Sequence, residues 1–208
     1  MNQSLMELVF ILDRSGSMSG KESDTIGGFN SLVEKQKKEP GDALVSVILF
    51  DDQYEILYDR VSLKDIPVMT EKEYYVRGST ALLDAVGKTV NHVKNVLERI
   101  EEAERPGKTL FVIMTDGYEN ASKEYSKGVV KDLIEGRKKD GWEFLFIGAN
   151  IDSVSEAASI GIAANRAANY DVNAGASVFE TLDRMVTGAR RSKRSMSESI
   201  SDDWSKDL

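Results

Sequence analysis

Four short, almost uninterrupted apolar runs most constrain the fold of this chain. They cover residues 5–12, 43–50, 109–114 and 142–147. A strand with one face in water alternates apolar and polar residues, whereas a continuous run of this length indicates a strand that is covered on both faces. Helix-length segments separate most of these runs, and strands that alternate with helices form mostly parallel sheets. We therefore predict an α/β fold with helices on both faces of a mostly parallel sheet.

The segments between the runs carry helical patterns. The clearest is residues 80–100, with apolar residues at 82, 83, 86, 90, 93, 97 and 100 and a Pro-Gly pair at 106–107 after it. That spacing puts the apolar side chains on one face of a helix. Further helices are predicted at residues 23–38, 124–139, 153–159 and 174–189.

Two more strands complete the predicted sheet. Residues 54–59 follow the run at 43–50 after a short turn at 51–53, so these two strands are predicted to form an antiparallel hairpin. An antiparallel strand of this kind usually lies at one edge of a mostly parallel sheet. Residues 167–170 are predicted to form a short strand.

The chain is predicted to hold one domain and a tail. Its 208 residues are enough for a single full core. Residues 190–194 are mostly basic, and a Ser-rich stretch with three aspartates follows. We assign residues 1–189 to the domain and residues 190–208 to a flexible charged tail. The alternative for the tail is a basic docking segment for an acidic partner.

Composition and charge argue against several classes of function. The net charge of −8 argues against nucleic acid as a partner, since nucleic-acid binders usually have a basic surplus. Without cysteine the chain has no disulfide, thiolate metal site or cysteine nucleophile. No apolar run approaches the ~18 residues of a membrane span, and the first residues lack the pattern of a signal peptide. We therefore predict a cytoplasmic protein with no membrane partner, and the oligomeric state stays open.

Oxygen-bearing side chains follow two of the buried strands and precede the long helix. Residues 13–17 read Asp-Arg-Ser-Gly-Ser, residues 115–117 read Thr-Asp-Gly, and residues 78–80 read Gly-Ser-Thr. Ligands of open parallel sheets bind outside the carboxyl ends of the strands, so these loops are expected to meet. Two carboxylates and three hydroxyls suit a hard divalent cation. The candidate metal ligands are Asp13, Ser15, Ser17, Thr80 and Asp116. Mg²⁺ is the predicted ion, with Mn²⁺ or Ca²⁺ as alternatives.

In order and spacing, these residues resemble the metal-ion-dependent adhesion site (MIDAS) of von Willebrand factor A-type domains. The resemblance covers residues 4–187, and it is closest to short intracellular bacterial and phage-encoded members of that family. It implies a Rossmann-like, doubly wound sheet of six strands, one of them antiparallel at the edge, with the metal at its top.

The resemblance also implies a role for each candidate ligand. Ser15 and Ser17 would coordinate the metal directly, and Thr80 would do so directly or through water. Asp13 and Asp116 would act largely through water. An Asp or Glu of a partner protein would complete the coordination. The implied function is a metal-dependent protein-binding module, an adaptor and not an enzyme.

The alternative is a Mg²⁺-dependent hydrolase or phosphotransferase of Rossmann-like fold. Two Gly-Lys-Thr triplets, at 87–89 and 107–109, lack the earlier glycine of a phosphate-binding loop. An aspartyl phosphotransferase would need a carboxylate where Ser15 stands. The only histidine, His92, lies within the long predicted helix, away from any serine loop. No Gly-x-Gly-x-x-Gly follows the first strand, which argues against a dinucleotide site.

Several charged or aromatic residues near the predicted site have two interpretations. Asp84 follows Thr80 by one helical turn, so it is either an acceptor behind the metal ligands or a charge at the helix N-terminus. Arg77 and Tyr118 flank the site and either shape partner choice or belong to the ordinary surface. A hairpin turn accounts for Asp51.

Overall fold

A computed structural model describes residues 1–170, 175–206 and 208 of the chain. The strands are β1 (Asn2–Asp13), β2 (Asp42–Phe50), β3 (Tyr54–Ser62), β4 (Pro106–Thr115), β5 (Trp142–Gly148) and β6 (Ala167–Asn169). The helices are α1 (Glu22–Gln36), α2 (Leu82–Glu98), α3 (Lys127–Lys139), α4 (Ser153–Ser159), α5 (Gly175–Arg191) and α6 (Met196–Ser199).

The six strands form one sheet in the order β3-β2-β1-β4-β5-β6. Five strands are parallel, and β3 pairs with β2 in the antiparallel direction at the edge. The predicted α/β fold, with a mostly parallel six-stranded sheet and one antiparallel edge strand, is confirmed. The strand order reverses between β1 and β4, and this is the point where open sheets of this type form their ligand sites.

The apolar runs are strands because both faces of the sheet are covered. Side chains of β1 alternate between two cores: Phe10 packs in the core that contains α1 and α5, and Val9 and Ile11 pack in the core that contains α2, α3 and α4. All three of these side chains are fully buried. A central strand with two buried faces has no polar face, which explains the continuous apolar sequence.

Several boundaries differ from the predictions. Helix α2 begins at Leu82 and not at Thr80, because the backbone N–H and carbonyl of Thr80 are bonded to residues 120–121. Helix α3 begins after Ser126, whose side chain accepts a hydrogen bond from the Val129 N–H and caps the helix. Helix α5 begins at Gly175 in the described chain, and the predicted start at residue 174 lies outside the described residues.

The end of the chain packs against the rest of the domain in the described structure. Met196, Ile200 and Trp204 are buried in the core that contains α1 and α5. These three apolar residues are spaced four positions apart, so they can lie on one side of a segment whose composition is otherwise polar. The Trp204 indole N–H donates to the Asn165 carbonyl at 2.9 Å, and Arg190 donates to the Gln36 carbonyl at 2.6 Å. Packing therefore continues beyond residue 189.

Within the described part of the chain, no helix is both long and apolar enough to cross a membrane.

Candidate metal centre

Three loops meet at the carboxyl end of the sheet, where β1 and β4 lie side by side. The Ser15 hydroxyl is 3.0 Å from the Ser17 hydroxyl. The Thr80 hydroxyl donates to Ser15 at 2.9 Å, although 65 positions separate the two residues in the chain. The three hydroxyls that the sequence analysis selected therefore form one contiguous group of oxygen atoms.

Asp13 stands behind this group and has both carboxylate oxygens engaged. Oδ1 accepts the Ser15 backbone N–H at 2.6 Å, and Oδ2 accepts the Thr115 hydroxyl at 2.6 Å. Burial raises the pKa of Asp13, and the hydrogen bonds from Thr115 and Ser15 oppose that rise. Asp13 therefore ties the end of β1 to the end of β4 and holds the Ser15 loop in place.

Asp116 is the fifth predicted residue, and its carboxylate is in a different situation. The residue is buried, and neither carboxylate oxygen accepts a hydrogen bond from any described residue. The Lys21 ammonium lies against Oδ2 as an ion pair. A buried carboxylate without hydrogen bonds is costly, and a cation is the usual compensation. These carboxylate oxygens belong to a loop whose Gly117 approaches the Ser17 and Thr80 hydroxyls, and such a set of oxygen donors fits a hard divalent cation.

Gly117 allows the Asp116 loop to approach the hydroxyls. A Cβ at this position would lie 2.8 Å from the Ser17 hydroxyl oxygen and 2.8 Å from that of Thr80. Both distances are shorter than a normal contact, so a side chain would push the loops apart. Glycine here is explained by this close approach.

Gly78 brings the third loop to the site. Its φ of +67° is in the left-handed region that favours glycine, and its carbonyl accepts the Gly16 N–H at 3.1 Å. A Cβ on Gly78 would lie 2.3 Å from a carboxylate oxygen of Asp52. The loop before Thr80 can therefore follow this path only with glycine at position 78.

Two residues that the sequence analysis missed lock the loop after β4 onto α2. Glu119 accepts the Leu83 N–H at 2.9 Å through Oε2 and the Ser122 N–H at 2.7 Å through Oε1. Asn120 accepts the Thr80 N–H at 2.9 Å. The run after Asp116 shows turn-forming residues, but nothing in the sequence identifies these partners. The lock keeps Thr80 beside the Asp116 loop.

Asp84 contributes to the same lock and makes no contact with the candidate ligands. It accepts the backbone N–H groups of the three residues at 123–125, at 2.8–2.9 Å. Burial raises the pKa of Asp84, but these three donors outweigh it and hold the pKa below its usual value. Asp84 lies in the first turn of α2, which confirms the interpretation as a charge at the helix N-terminus, and its carboxylate also anchors a loop.

An ion-pair network borders the site on the side of the β2–β3 hairpin. Asp51, which the sequence places in a hairpin turn, is buried and accepts Arg14 Nε at 3.2 Å and Arg77 Nε at 2.5 Å. Both guanidinium groups lie over the Tyr75 ring, at 5.3 and 5.5 Å from its centroid. The Tyr74 hydroxyl donates to the Asp13 carbonyl at 2.5 Å. These contacts make the wall of the site rigid.

Lys21 is a third residue that the sequence analysis missed. Its ammonium donates to the Ser17 carbonyl at 3.3 Å and contacts Asp116. Burial lowers the pKa of Lys21, and the negative charge of Asp13 opposes that change. A lysine four residues after Ser17 is the available sequence signal, but the direction of its side chain is a tertiary property.

The candidate site is built from hydroxyls and has few carboxylates. Among the described residues, no group of three or more His, Cys, Asp or Glu side chains is arranged to hold a metal. His92 instead contacts Asp59 at 3.0 Å. Any cation at the sheet edge would therefore meet mostly neutral oxygen donors.

The doubly wound sheet places the protein in the class of α/β domains whose ligands bind in loops at the carboxyl ends of the strands, and three hydroxyls lie at that point here. The chain matches the model of the von Willebrand factor type A domain over residues 7–184. The chain belongs to this family, whose domains generally act as protein-interaction modules. No curated protein sequence is significantly similar to the chain.

Solved structures share this fold at low sequence identity. Proximal thread matrix protein 1 from the mussel byssus, with a zinc-occupied MIDAS motif, is 15% identical with a TM-score of 0.60, over 90% of this chain and 47% of that chain. A von Willebrand factor type A protein from Catenulispora acidiphila is 14% identical with a TM-score of 0.59. The match covers 89% of this chain and 43% of that protein. The manganese-loaded TRAP protein of Plasmodium vivax is 16% identical with a TM-score of 0.57. The match covers 86% of this chain and 73% of that protein. This chain spans about half the length of the mussel protein.

Proposed function

We propose that the protein is a metal-dependent protein-binding module. Mg²⁺ would be held by the hydroxyls of Ser15, Ser17 and Thr80, with Asp13 and Asp116 acting through water. The observation that carries this proposal is the buried Asp116 carboxylate, which is paired with the Lys21 ammonium and lies on a loop whose Gly117 approaches the Ser17 and Thr80 hydroxyls. Mg²⁺ suits such a site because it takes few protein ligands and keeps several waters. Mn²⁺ and Ca²⁺ are the alternatives.

The bound ion would supply a positive charge that accepts an Asp or Glu carboxylate from the partner protein. Neutral hydroxyl donors leave most of that charge uncompensated, whereas a cage of carboxylates would cancel it. Metal in two structural neighbours supports the proposal: the mussel byssus protein has zinc at its MIDAS motif, and the Plasmodium vivax TRAP protein is loaded with manganese.

Exposed aromatic and cationic side chains around the site support a protein partner. Tyr75 is 42% exposed and precedes the loop at residues 78–80, and Tyr118 is 53% exposed and follows the loop at residues 115–117. Arg77 is half-buried beside Tyr75. Tyrosine and arginine are the residues that most often anchor protein interfaces. We expect Tyr118→Ala to weaken partner capture without changing Mg²⁺ affinity.

The hydrolase or phosphotransferase alternative is less well supported. The hydroxyls of Ser15, Ser17 and Thr80 contact one another and not a histidine that could act as a base. The net charge of −8 supports a partner that is neither nucleic acid nor an anionic membrane surface. A cytoplasmic location is part of the proposal and is supported by a chain without cysteine.

Calorimetric titration with Mg²⁺ and Mn²⁺ tests the site. The wild type is expected to bind, and Ser15→Ala and Asp116→Asn to lose most of the affinity. Ser19→Ala is the control, since Ser19 is exposed in the same loop. Equal binding by all four proteins would refute the assignment of the ligands.

Affinity capture from lysate with and without a chelator tests the function. Partners that bind wild type only in the presence of Mg²⁺, and fail to bind Ser15→Ala, are the expected result. Capture that is insensitive to the chelator, or Mg²⁺-dependent turnover of phosphate esters by the purified protein, would contradict the proposal.

A further inference from the structure

Lys21 reaches into the candidate metal site from the position just before the first residue of α1. Its backbone N–H donates to the Met18 carbonyl at 3.0 Å, and its carbonyl accepts the Thr25 N–H at 2.9 Å. These two bonds hold its Cα in place at the helix start. The side chain folds back to the Ser17 carbonyl and to Asp116, and only 13% of it is exposed. The ammonium therefore lies on one of the carboxylates that the proposed metal requires.

The two carboxylates of the site, Asp13 and Asp116, differ in the groups that stabilise their negative charge. Asp13 is held by the Ser15 N–H and the Thr115 hydroxyl. Asp116 has no hydrogen bond from a described residue, so the Lys21 charge is what stabilises it in the described structure. A divalent cation held by Asp116 through a bound water would still be close enough to the ammonium for strong repulsion in this buried setting. The ammonium and a divalent cation therefore exclude each other at Asp116.

We propose that Lys21 competes with the divalent cation for Asp116 and so sets the metal affinity of the site. This inference rests on the proposed function. The lysine stem is flexible, and the ammonium is stable in water, so Lys21 can leave the site for the nearby surface without a change in the backbone. Loading with metal then requires departure of the lysine, and metal affinity is lower than the oxygen donors alone would provide.

Competition predicts effects of opposite sign when the ammonium is removed. In the presence of a chelator, loss of the ion pair leaves the Asp116 carboxylate without a countercharge, so the folded protein should be less stable. In the presence of metal, the competitor is gone, so the affinity should increase. A lysine with a purely structural role would lower stability in both conditions.

The test compares wild type with Lys21→Met, which keeps the length of the side chain and removes the charge. Calorimetric titration with Mg²⁺ and with Mn²⁺ should give a Kd about tenfold lower for Lys21→Met, which corresponds to about 1.4 kcal/mol for the loss of the competing ion pair. Thermal unfolding should give a lower Tm than wild type in chelator and an equal or higher Tm in saturating Mg²⁺. Lys35→Met is the matched control, because Lys35 is exposed near the end of the same helix.

Lys21→Arg tests whether charge or shape is responsible. It retains a positive charge at the same position, and weak metal binding like that of wild type is expected. A tenfold gain in this variant as well would overturn competition by charge.

The two proposals fail in different ways. If wild type binds Mg²⁺ and Ser15→Ala does not, but Lys21→Met binds no more tightly than wild type, the metal site stands and the role of Lys21 is refuted. If neither wild type nor Lys21→Met binds Mg²⁺ or Mn²⁺, the metal site itself is refuted and the competition with it.

Discussion

Glu7 makes the stability of the protein depend on pH near neutrality. It lies fully buried in β1, and both of its carboxylate oxygens accept Arg60 Nε at 3.0 Å. Arg60 belongs to the edge strand β3 and has a φ of 51°, which turns its side chain out of the regular strand pattern. Burial raises the pKa of Glu7 from 4.5 to about 7, although Arg60 lowers it in part.

The sign of the effect follows from proton binding. A carboxyl group with a higher pKa in the folded chain holds its proton at a pH where the unfolded chain has released it. The stabilisation from protonated Glu7 is therefore complete below pH 4.5 and is lost as the pH rises to about 7. A shift of this size corresponds to about 3 kcal/mol of unfolding free energy.

Urea unfolding of wild type and Glu7→Gln at a series of pH values measures this effect. Glutamine keeps the shape of the side chain and does not titrate. The unfolding free energy of wild type relative to Glu7→Gln should fall by about 3 kcal/mol between acid pH and pH 8. Glu71→Gln, at an exposed position, is the control and should show no such change. A constant difference between wild type and Glu7→Gln across the range would refute the reasoning.

Three further substitutions test the site and the packing. Gly117→Ala puts a Cβ 2.8 Å from two site hydroxyls and should weaken Mg²⁺ binding at least tenfold in calorimetry, whereas Gly128→Ala, with open space around it, should not. Asp84→Ala removes the acceptor of three backbone N–H groups. In urea unfolding it should lower the unfolding free energy by about 2 kcal/mol. Unchanged stability would mean that other contacts hold the loop at residues 123–125. Trp204→Ala should lower the unfolding free energy by about 3 kcal/mol in the same assay, because Trp204 is buried. Lys206→Ala, at an exposed position, is the control and should change it very little. A similarly small loss for Trp204→Ala would contradict a packed chain end.

The prediction of elements was accurate where periodicity is local. The continuous run at 5–12 predicted a doubly covered strand, and β1 is the central strand of the sheet. The start of α2 was misplaced because the Thr80 backbone bonds to Asn120, 40 positions away. The packing of Met196 and Trp204 could not be predicted from the sequence, because the core that they contact is built from residues far away in the chain.

The candidate ligands could be found in the sequence because their residue types and loop positions are local properties. The hydrogen bonds that each carboxylate accepts could not be predicted from the sequence. Asp13 and Asp116 have the same side chain and comparable positions after a strand, yet Asp13 accepts two hydrogen bonds and Asp116 accepts none from the described residues. The difference comes from neighbours such as Thr115, which is 102 positions from Asp13 in the chain.

The sequence by itself determined the α/β class, the order of the strands along the chain and the set of oxygen-bearing loops. These properties depend on the period of a helix or strand and on chain neighbours, which any reader of the sequence can see. The tertiary structure alone decided that Lys21 lies on Asp116, that Glu119 locks the loop beside Thr80, and that Arg60 faces Glu7. Long-range packing determines which charges meet in a buried site, and buried charges are stabilised only by the partners that they meet.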